Sequence, residues 1–179
     1  MTDSRASECR ITPCSAADLP ALVAVAVQSY REHYLHLWTD NGAWYMERCF
    51  TPAVLAREMA EPDSAFYLIS RGGAPAGFLK VNDKNPLDGY PAEVCLEVER
   101  LYLLAAAAGH GLGRAALAFA DGLAREKGRR VVWLKTMDTS PAVPFYEKLG
   151  FRTCGHTRLS FPLMKVELRN MFIMEKGLA

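Results

Sequence analysis

From residue 108 to residue 114 the chain reads Ala-Gly-His-Gly-Leu-Gly-Arg, with glycine at positions 109, 111 and 113. A strand-like apolar run, Val94 to Leu104, leads in, and an amphipathic stretch, Leu112 to Lys127, leads out. Strand, glycine turn and helix start, in that order, narrow the fold more than any other feature. Successive backbone N–H groups in such a turn lack partners, and the helix dipole adds partial positive charge there. Glycine suits the turn because it takes positive φ and leaves room for close approach. A phosphate is the natural occupant. A tight turn that merely needs glycine is the alternative, since short glycine motifs arise by chance.

The rest of the chain limits what this turn can serve. Its 179 residues suit one domain, 1–179, with 1–9 as a flexible tail. The net charge is +1 and no basic stripe stands out, which argues against a nucleic-acid partner. The longest apolar run, Leu101 to Ala108, is far too short to span a membrane. Met1 to Arg10 is polar and has no signal-peptide core. Five scattered cysteines form no C-x-x-C pair, so reduced thiols and a cytoplasmic location are expected. The four histidines show no metal-ligand spacing, and no metal site is expected.

Arg10 to Pro13 reads as a short strand. Ser15 precedes a helical pattern whose apolar residues, from Leu19 through Tyr30 and Tyr34 to Leu37, share one face. Thr51-Pro52 opens a second helix that runs to about Ala60. Phe66–Ile69 and Gly77–Val81 form a hairpin about Arg71-Gly72-Gly73, and Asn82 to Pro91 is a turn-rich loop. After the glycine turn and its helix, Gly128 is a C-cap and Val131 to Leu134 a buried strand. Pro141 to Leu149 is a short helix, and Arg152–Phe161 and Leu168–Glu175 make a closing strand pair. The helix after Leu104 is a crossover, so the strands on either side of it should be parallel. The fold class is α/β, one domain with a mixed sheet flanked by helices.

Two stretches point to a family. Glu97-Val98-Glu99-Arg100-Leu101-Tyr102-Leu103 followed by Gly109-His110-Gly111-Leu112-Gly113-Arg114 resembles the central motif of the GNAT superfamily of N-acetyltransferases. Pro144-Phe145-Tyr146-Glu147-Lys148-Leu149-Gly150-Phe151 resembles its second signature. The tail from Gly155 to Lys176 bears a faint likeness to bacterial polyamine-acetyltransferase relatives. The resemblance implies acetyl-CoA as co-substrate, with its pyrophosphate on the amides around Gly109 to Arg114. It also implies a splayed pair of parallel strands, with the pantetheine arm along main chain near Leu101, Tyr102 and Leu103. The sequence departs from the family at two places. Ala108 stands where Arg or Gln is usual, and Thr139 stands where Asn is common, seven residues before Tyr146. Thr cannot imitate an amide's donor and acceptor pair.

Acetyl transfer to an amine needs the amine deprotonated, a donor for the developing oxyanion, and help for the departing thiolate. Glu97 and Glu99 are the base candidates. Residues two apart on a strand share a face, so both look to one side with Cys95. A solvated face, or a salt bridge to Arg100 or a neighbouring lysine, is the alternative. Tyr146 is the candidate general acid by its motif position, against a reading as a core aromatic. His110 reads as a backbone contributor. Tyr30, Tyr34 and Trp38 crowd the region that the family uses as one wall of the acceptor cleft, although aromatic stripes are more often core.

The leading reading is an acetyl-CoA-dependent N-acetyltransferase acting on a small primary amine by direct attack, with no covalent enzyme intermediate. A protein N-terminal or lysine acetyltransferase is the second reading; it would need a long open groove. A silent acetyl-CoA sensor is a third. A dinucleotide enzyme fits Gly111-x-Gly113-x-x-Ala116, but too few residues follow for the rest of a doubly wound sheet. The expected partner is a small-molecule amine, without nucleic acid or membrane, and a homodimer is left open.

Overall fold

The computed structural model describes residues 9–178, so the expected tail lies, except for Cys9, outside the described residues. The chain begins with β1 (Cys9–Pro13), α1 (Leu19–His33), α2 (Ala43–Cys49) and α3 (Pro52–Met59). Three strands follow, β2 (Ser64–Arg71), β3 (Ala74–Asp83) and β4 (Cys95–Leu103). Then come α4 (Leu112–Glu126), β5 (Val131–Met137), α5 (Val143–Lys148), β6 (Arg152–Arg158) and β7 (Asn170–Gly177). The strands form one sheet in the order β1-β2-β3-β4-β5-β7-β6. Among the described residues only β4 and β5 pair in parallel, joined by the crossover helix α4 as expected.

Local chemistry explains most boundaries. Thr51 Oγ1 accepts from the Val54 N–H, and Pro52 occupies the first turn of α3. Gly128, at φ +69°, takes the left-handed position just past α4. Ser15 and Asp18 cap each other, but around a 3-10 turn, Ala16–Asp18, that precedes α1.

The N-terminal region departs from the single long helix expected there. α1 ends at His33, Tyr34 leaves helical geometry at φ −124°, and Leu37 falls on a separate 3-10 turn. Gly42 then opens α2 from a left-handed conformation, and the Asp40 carboxylate accepts from the N–H groups of Gly42 and Trp44. The apolar residues read as one helical face, Leu19 to Leu37, are therefore divided among α1, its cap Tyr34 and the 3-10 turn. They still converge.

The sheet is covered on both faces. On one side Leu96, Val98, Leu112, Ala116 and Ala120 pack α4 against the strands. On the other, Leu22, Ala26, Tyr30, Phe50, Leu55 and Phe78 pack α1 and α3. Leu22, Leu55 and Phe78 are inaccessible to solvent, and burying a side chain of this size contributes about 1.5–3 kcal/mol. Both cores press on β4, which places the middle of that strand at the centre of the molecule.

Candidate active site

β4 and β5 pair only over Cys95–Val98 and Val131–Leu134. Beyond that, β4 stays with β3 as far as Leu103, and β5 stays with β7 as far as Met137. The two parallel neighbours therefore part, and the gap opens at Glu99 and Lys135. The Leu104 N–H bonds to Ala76 O on the β3 side. By alternation Leu103 and Leu101 turn their backbone groups into the gap, while Tyr102 turns its own toward β3. Of the three residues expected to bond an added chain, two present main chain to the gap and Tyr102 does not. The Leu103 carbonyl meets His33 Nε2 at 3.1 Å.

A β-bulge sits at the same point. Lys80 pairs with Arg100 and Val81 with Val98, so Glu99 is the extra residue. Before the bulge, Leu96 and Val98 face α4; after it, Leu101 and Leu103 do. The side-chain alternation thus shifts by one. Glu97, Arg100 and Tyr102 come to line the same cavity, where strict alternation would have separated them.

Glu97 and Glu99 do meet, but in unlike settings. Glu97 is 4% exposed. Its Oε2 accepts from Asn82 Nδ2 at 2.8 Å and from Asn85 Nδ2 at 2.6 Å. Its Oε1 lies 3.9 Å from Lys135 Nζ, the loosest of the ion pairs at the site. Glu99 belongs to a closed network: it pairs with Lys80 at 2.7 Å and Arg100 at 3.1 Å, and Glu58 binds the same two cations. Burial pushes the Glu99 carboxyl up, but Arg100 and Lys80 outweigh it and hold the group below the ordinary glutamate value. The salt-bridge alternative applies to Glu99.

A cavity of about 500 Å³ extends from these carboxylates between α1 and the gap. Tyr30, Tyr34, Trp38, Tyr45 and Phe161 form its aromatic wall. Tyr30 and Trp38 are also core residues, each 3% exposed, tied by a 2.7 Å bond from Trp38 Nε1 to Tyr30 Oη. Tyr146 on α5 closes the cavity from the opposite side, and burial raises its phenol well above the ordinary value, with Tyr34 adding to the shift. Thr139 is exposed in the turn after β5, outside the cavity lining.

The glycine turn lies beyond the far end of β4. Ala108 N–H closes on Ala105 O, and Ala115 N–H on Gly111 O. Among the described residues, no N–H from Gly109 through Arg114 donates to a backbone carbonyl. Gly109 and Gly111 both have φ +76°, and a Cβ at either would meet nothing within 4 Å. Gly113 differs, because its Cβ would sit 3.2 Å from Phe145 Cζ and that ring would have to give way. Leu112, 2% exposed, anchors the helix start, while Ala108, His110 and Arg114 are exposed. Free amides, a helix N-terminus and open space form an anion seat. The turn follows the end of β4 at Leu103, on the side where β4 and β5 no longer pair.

The acetyltransferase (GNAT) family model matches residues 23–151. The chain belongs to the GNAT acetyltransferase family. Membership makes it an N-acetyltransferase with acetyl-CoA as co-substrate. An uncharacterized N-acetyltransferase from the pepI 3′ region of Lactobacillus delbrueckii subsp. lactis is 29% identical over 146 residues, covering 79% of this chain and 83% of the relative. The fold is similar to that of the PaiA N-acetyltransferase from Thermoplasma acidophilum, solved with coenzyme A (TM-score 0.72, 22% identity, 96% of this chain and 99% of that one). It is also similar to the ribosomal-protein-alanine N-acetyltransferase from Brucella melitensis (TM-score 0.69, 22% identity, 94% and 99%). These two neighbours bear different names on one scaffold, so this GNAT enzyme's acceptor must be argued from its own cavity.

The residues of the GNAT enzyme fit the co-substrate. The free amides from Gly109 to Arg114 suit a pyrophosphate, and the split strand edge at Leu101 and Leu103 suits an extended amide-bearing arm. Sequence reasoning missed Asn82, Asn85 and Lys135 at Glu97, and Lys80 and Glu58 at Glu99. Asn82 and Asn85 fell in a stretch read as a turn-rich loop, although Asn82 belongs to β3. Nothing in the linear pattern marks their convergence, because it depends on the register of β3 against β4.

Proposed function

We propose that the enzyme acetylates a small primary amine by direct attack, with Glu97 as base and Tyr146 as donor to the departing sulfur. The observation that carries the small-acceptor reading is the closure of the cavity away from the gap. The segment between β6 and β7 folds back onto residues 37–39. Thr39 N–H and Oγ1 both donate to Leu163 O at 3.0 and 3.1 Å, and Lys165 N–H donates to Leu37 O at 2.9 Å. Arg169 fixes the segment through two bonds to Met164 O, and Met164 is 2% exposed. A protein acceptor needs an open groove, and a strap bonded across residues 37–39 at the cavity's edge supports a small acceptor instead. About 500 Å³ suits a metabolite-sized ligand.

Acetyl-CoA supplies an activated acetyl thioester. The chain's own residues do the rest. An incoming ammonium displaces Lys135 from Glu97 Oε1, and the aromatic wall favours the cation while it sheds water. Glu97 Oε1 then takes the proton that an alkyl ammonium, titrating near ~10, would otherwise keep. Glu99 is committed to Lys80 and Arg100 and supplies no second base. Tyr146 remains a protonated phenol because burial raises it. A thiolate with a conjugate acid near ~8.5 is a weaker base than this phenolate, so Tyr146 offers a hydrogen bond more than a full proton. Backbone N–H groups at the open edge of β4 are the candidate oxyanion donors.

A thiol-release screen tests this reading. Small primary amines should release CoA, while peptides bearing a free N-terminus or lysine should not. Preference for the peptides would contradict the small-acceptor reading, and acetyl-CoA binding without release from any amine would favour a sensor.

A further inference from the structure

The geometry points to Asn82 and Asn85 as an amide clamp that positions Glu97, with Asn82 setting which carboxylate oxygen faces the acceptor. This rests on the reading of Glu97 as the base. A carboxylate has two oxygens and about four acceptor sites. Here both amide donors converge on one oxygen, Oε2, at 2.8 and 2.6 Å. The other oxygen, Oε1, keeps only the distant Lys135 ammonium, whose side chain is 41% exposed. The clamp therefore saturates one side of the carboxylate and leaves the other available to an acceptor.

Asn82 has a second contact that makes it more than a hydrogen-bond partner. Its Nδ2 also donates to Glu99 Oε2 at 2.6 Å. One NH2 group thus bridges two carboxylates that would otherwise repel each other across the bulge. Because both neighbours are acceptors, the nitrogen, not the oxygen, of this side chain must face them.

Asn85 is itself fixed. Trp133 Nε1 donates to Asn85 O at 3.0 Å, which ties the loop after β3 to the strand that carries Lys135. Lys80 and Arg100, which Glu58 also binds, engage both oxygens of Glu99. Among the described residues lining the cavity, Glu97 is the carboxylate with an oxygen held only by the distant Lys135.

The clamp is also a partition. Asn82, Asn85 and Glu99 line both the aromatic cavity and a second, more open cavity of about 430 Å³ on the side of Asp63 and Lys84. Shortening Asn82 to alanine would admit water behind the base, so an isosteric variant is the sharper probe.

The test is a double-mutant cycle on kcat combining Asn82→Leu with Glu97→Gln, with acetyl-CoA affinity and side-chain amide NMR of the free protein measured beside it. Asn82→Leu should lower kcat about 10²-fold and leave acetyl-CoA affinity unchanged. In the Glu97→Gln background the same change should cost little more, because its effect passes through Glu97. The Asn82 and Asn85 NH2 resonances should both move in free Glu97→Gln protein. Full additivity of the two substitutions, or amide resonances indifferent to Glu97→Gln, would overturn the clamp while leaving Glu97 as base. An unaltered kcat in Glu97→Gln alone would instead overturn the base reading on which the clamp rests.

Discussion

The two sides of the β4–β5 gap are built from different materials. Around Gly109 to Arg114 the seat is main chain: free N–H groups, two left-handed glycines and a helix start. On the proposed acceptor side it is side chain: two carboxylates, two carboxamides and an aromatic wall gathered from β3, β4, α1 and distant loops. A backbone seat depends on conformation and is indifferent to most side chains. A side-chain site depends on register, and one altered group changes its chemistry. The donor side should therefore tolerate the loss of a long side chain at position 108, while the acceptor side should tolerate almost nothing at Glu97.

The largest expected break in this comparison is at Glu97. Glu97→Gln should lower kcat by about 10²–10⁴-fold in steady-state assays, the range for losing a general base. Next is its neighbour, where the loss should fall on stability. Glu99→Gln leaves Lys80 and Arg100 sharing only Glu58. Denaturant unfolding at neutral pH should show a loss of about 2 kcal/mol, below the full cost of breaking a buried pair because Glu99 is partly exposed.

The sign of the pH effect follows from the lowered Glu99 carboxyl. Its stabilisation is complete above the unfolded glutamate value, near ~4.3, and is lost as pH falls through the lower folded value. The Glu99→Gln variant should lack that part of the acid-side decline, giving a shallower slope of stability against pH below about 4.3.

Tyr146→Phe sharpens the division between the sides. It removes one hydroxyl and should lower kcat by about 10-fold with acetyl-CoA affinity intact, since it acts on the departing sulfur. Gly111→Val attacks the backbone seat directly. A β-branched residue at φ +76° costs about 1–3 kcal/mol, and calorimetry should show acetyl-CoA binding weakened by about 10-fold or more. The smallest effect is at Ala108. Ala108→Arg adds a cation at an exposed position and should tighten acetyl-CoA binding by no more than about fivefold, an effect that fades with salt.

The same contrast explains what the sequence made legible. The glycine turn, its crossover helix and the Tyr146 helix are local patterns, and the structure keeps each at its expected place. The parallel β4–β5 pair followed from the crossover alone. The bulge at Glu99 did not, because it is a mismatch between two strands and has no mark in either one. Asn82 read as a loop residue though it belongs to β3, and Asn85, correctly read as loop, carried no sign that it meets Glu97. α2 lies beyond the helical face read from Leu19 to Leu37, and its seven residues open from a left-handed Gly42 that no apolar periodicity marks. The strap from Leu163 to Lys165 onto residues 37–39 joins segments too distant in sequence for any periodicity to reveal.

The account stands on the separability of the two sides, and acetyl-CoA affinity in the Glu97→Gln variant tests that most directly. Calorimetry should return the wild-type dissociation constant from a protein that has lost nearly all turnover. A parallel weakening of acetyl-CoA binding would contradict the account, as it would mean that the carboxylate supports the donor seat it is held to be independent of.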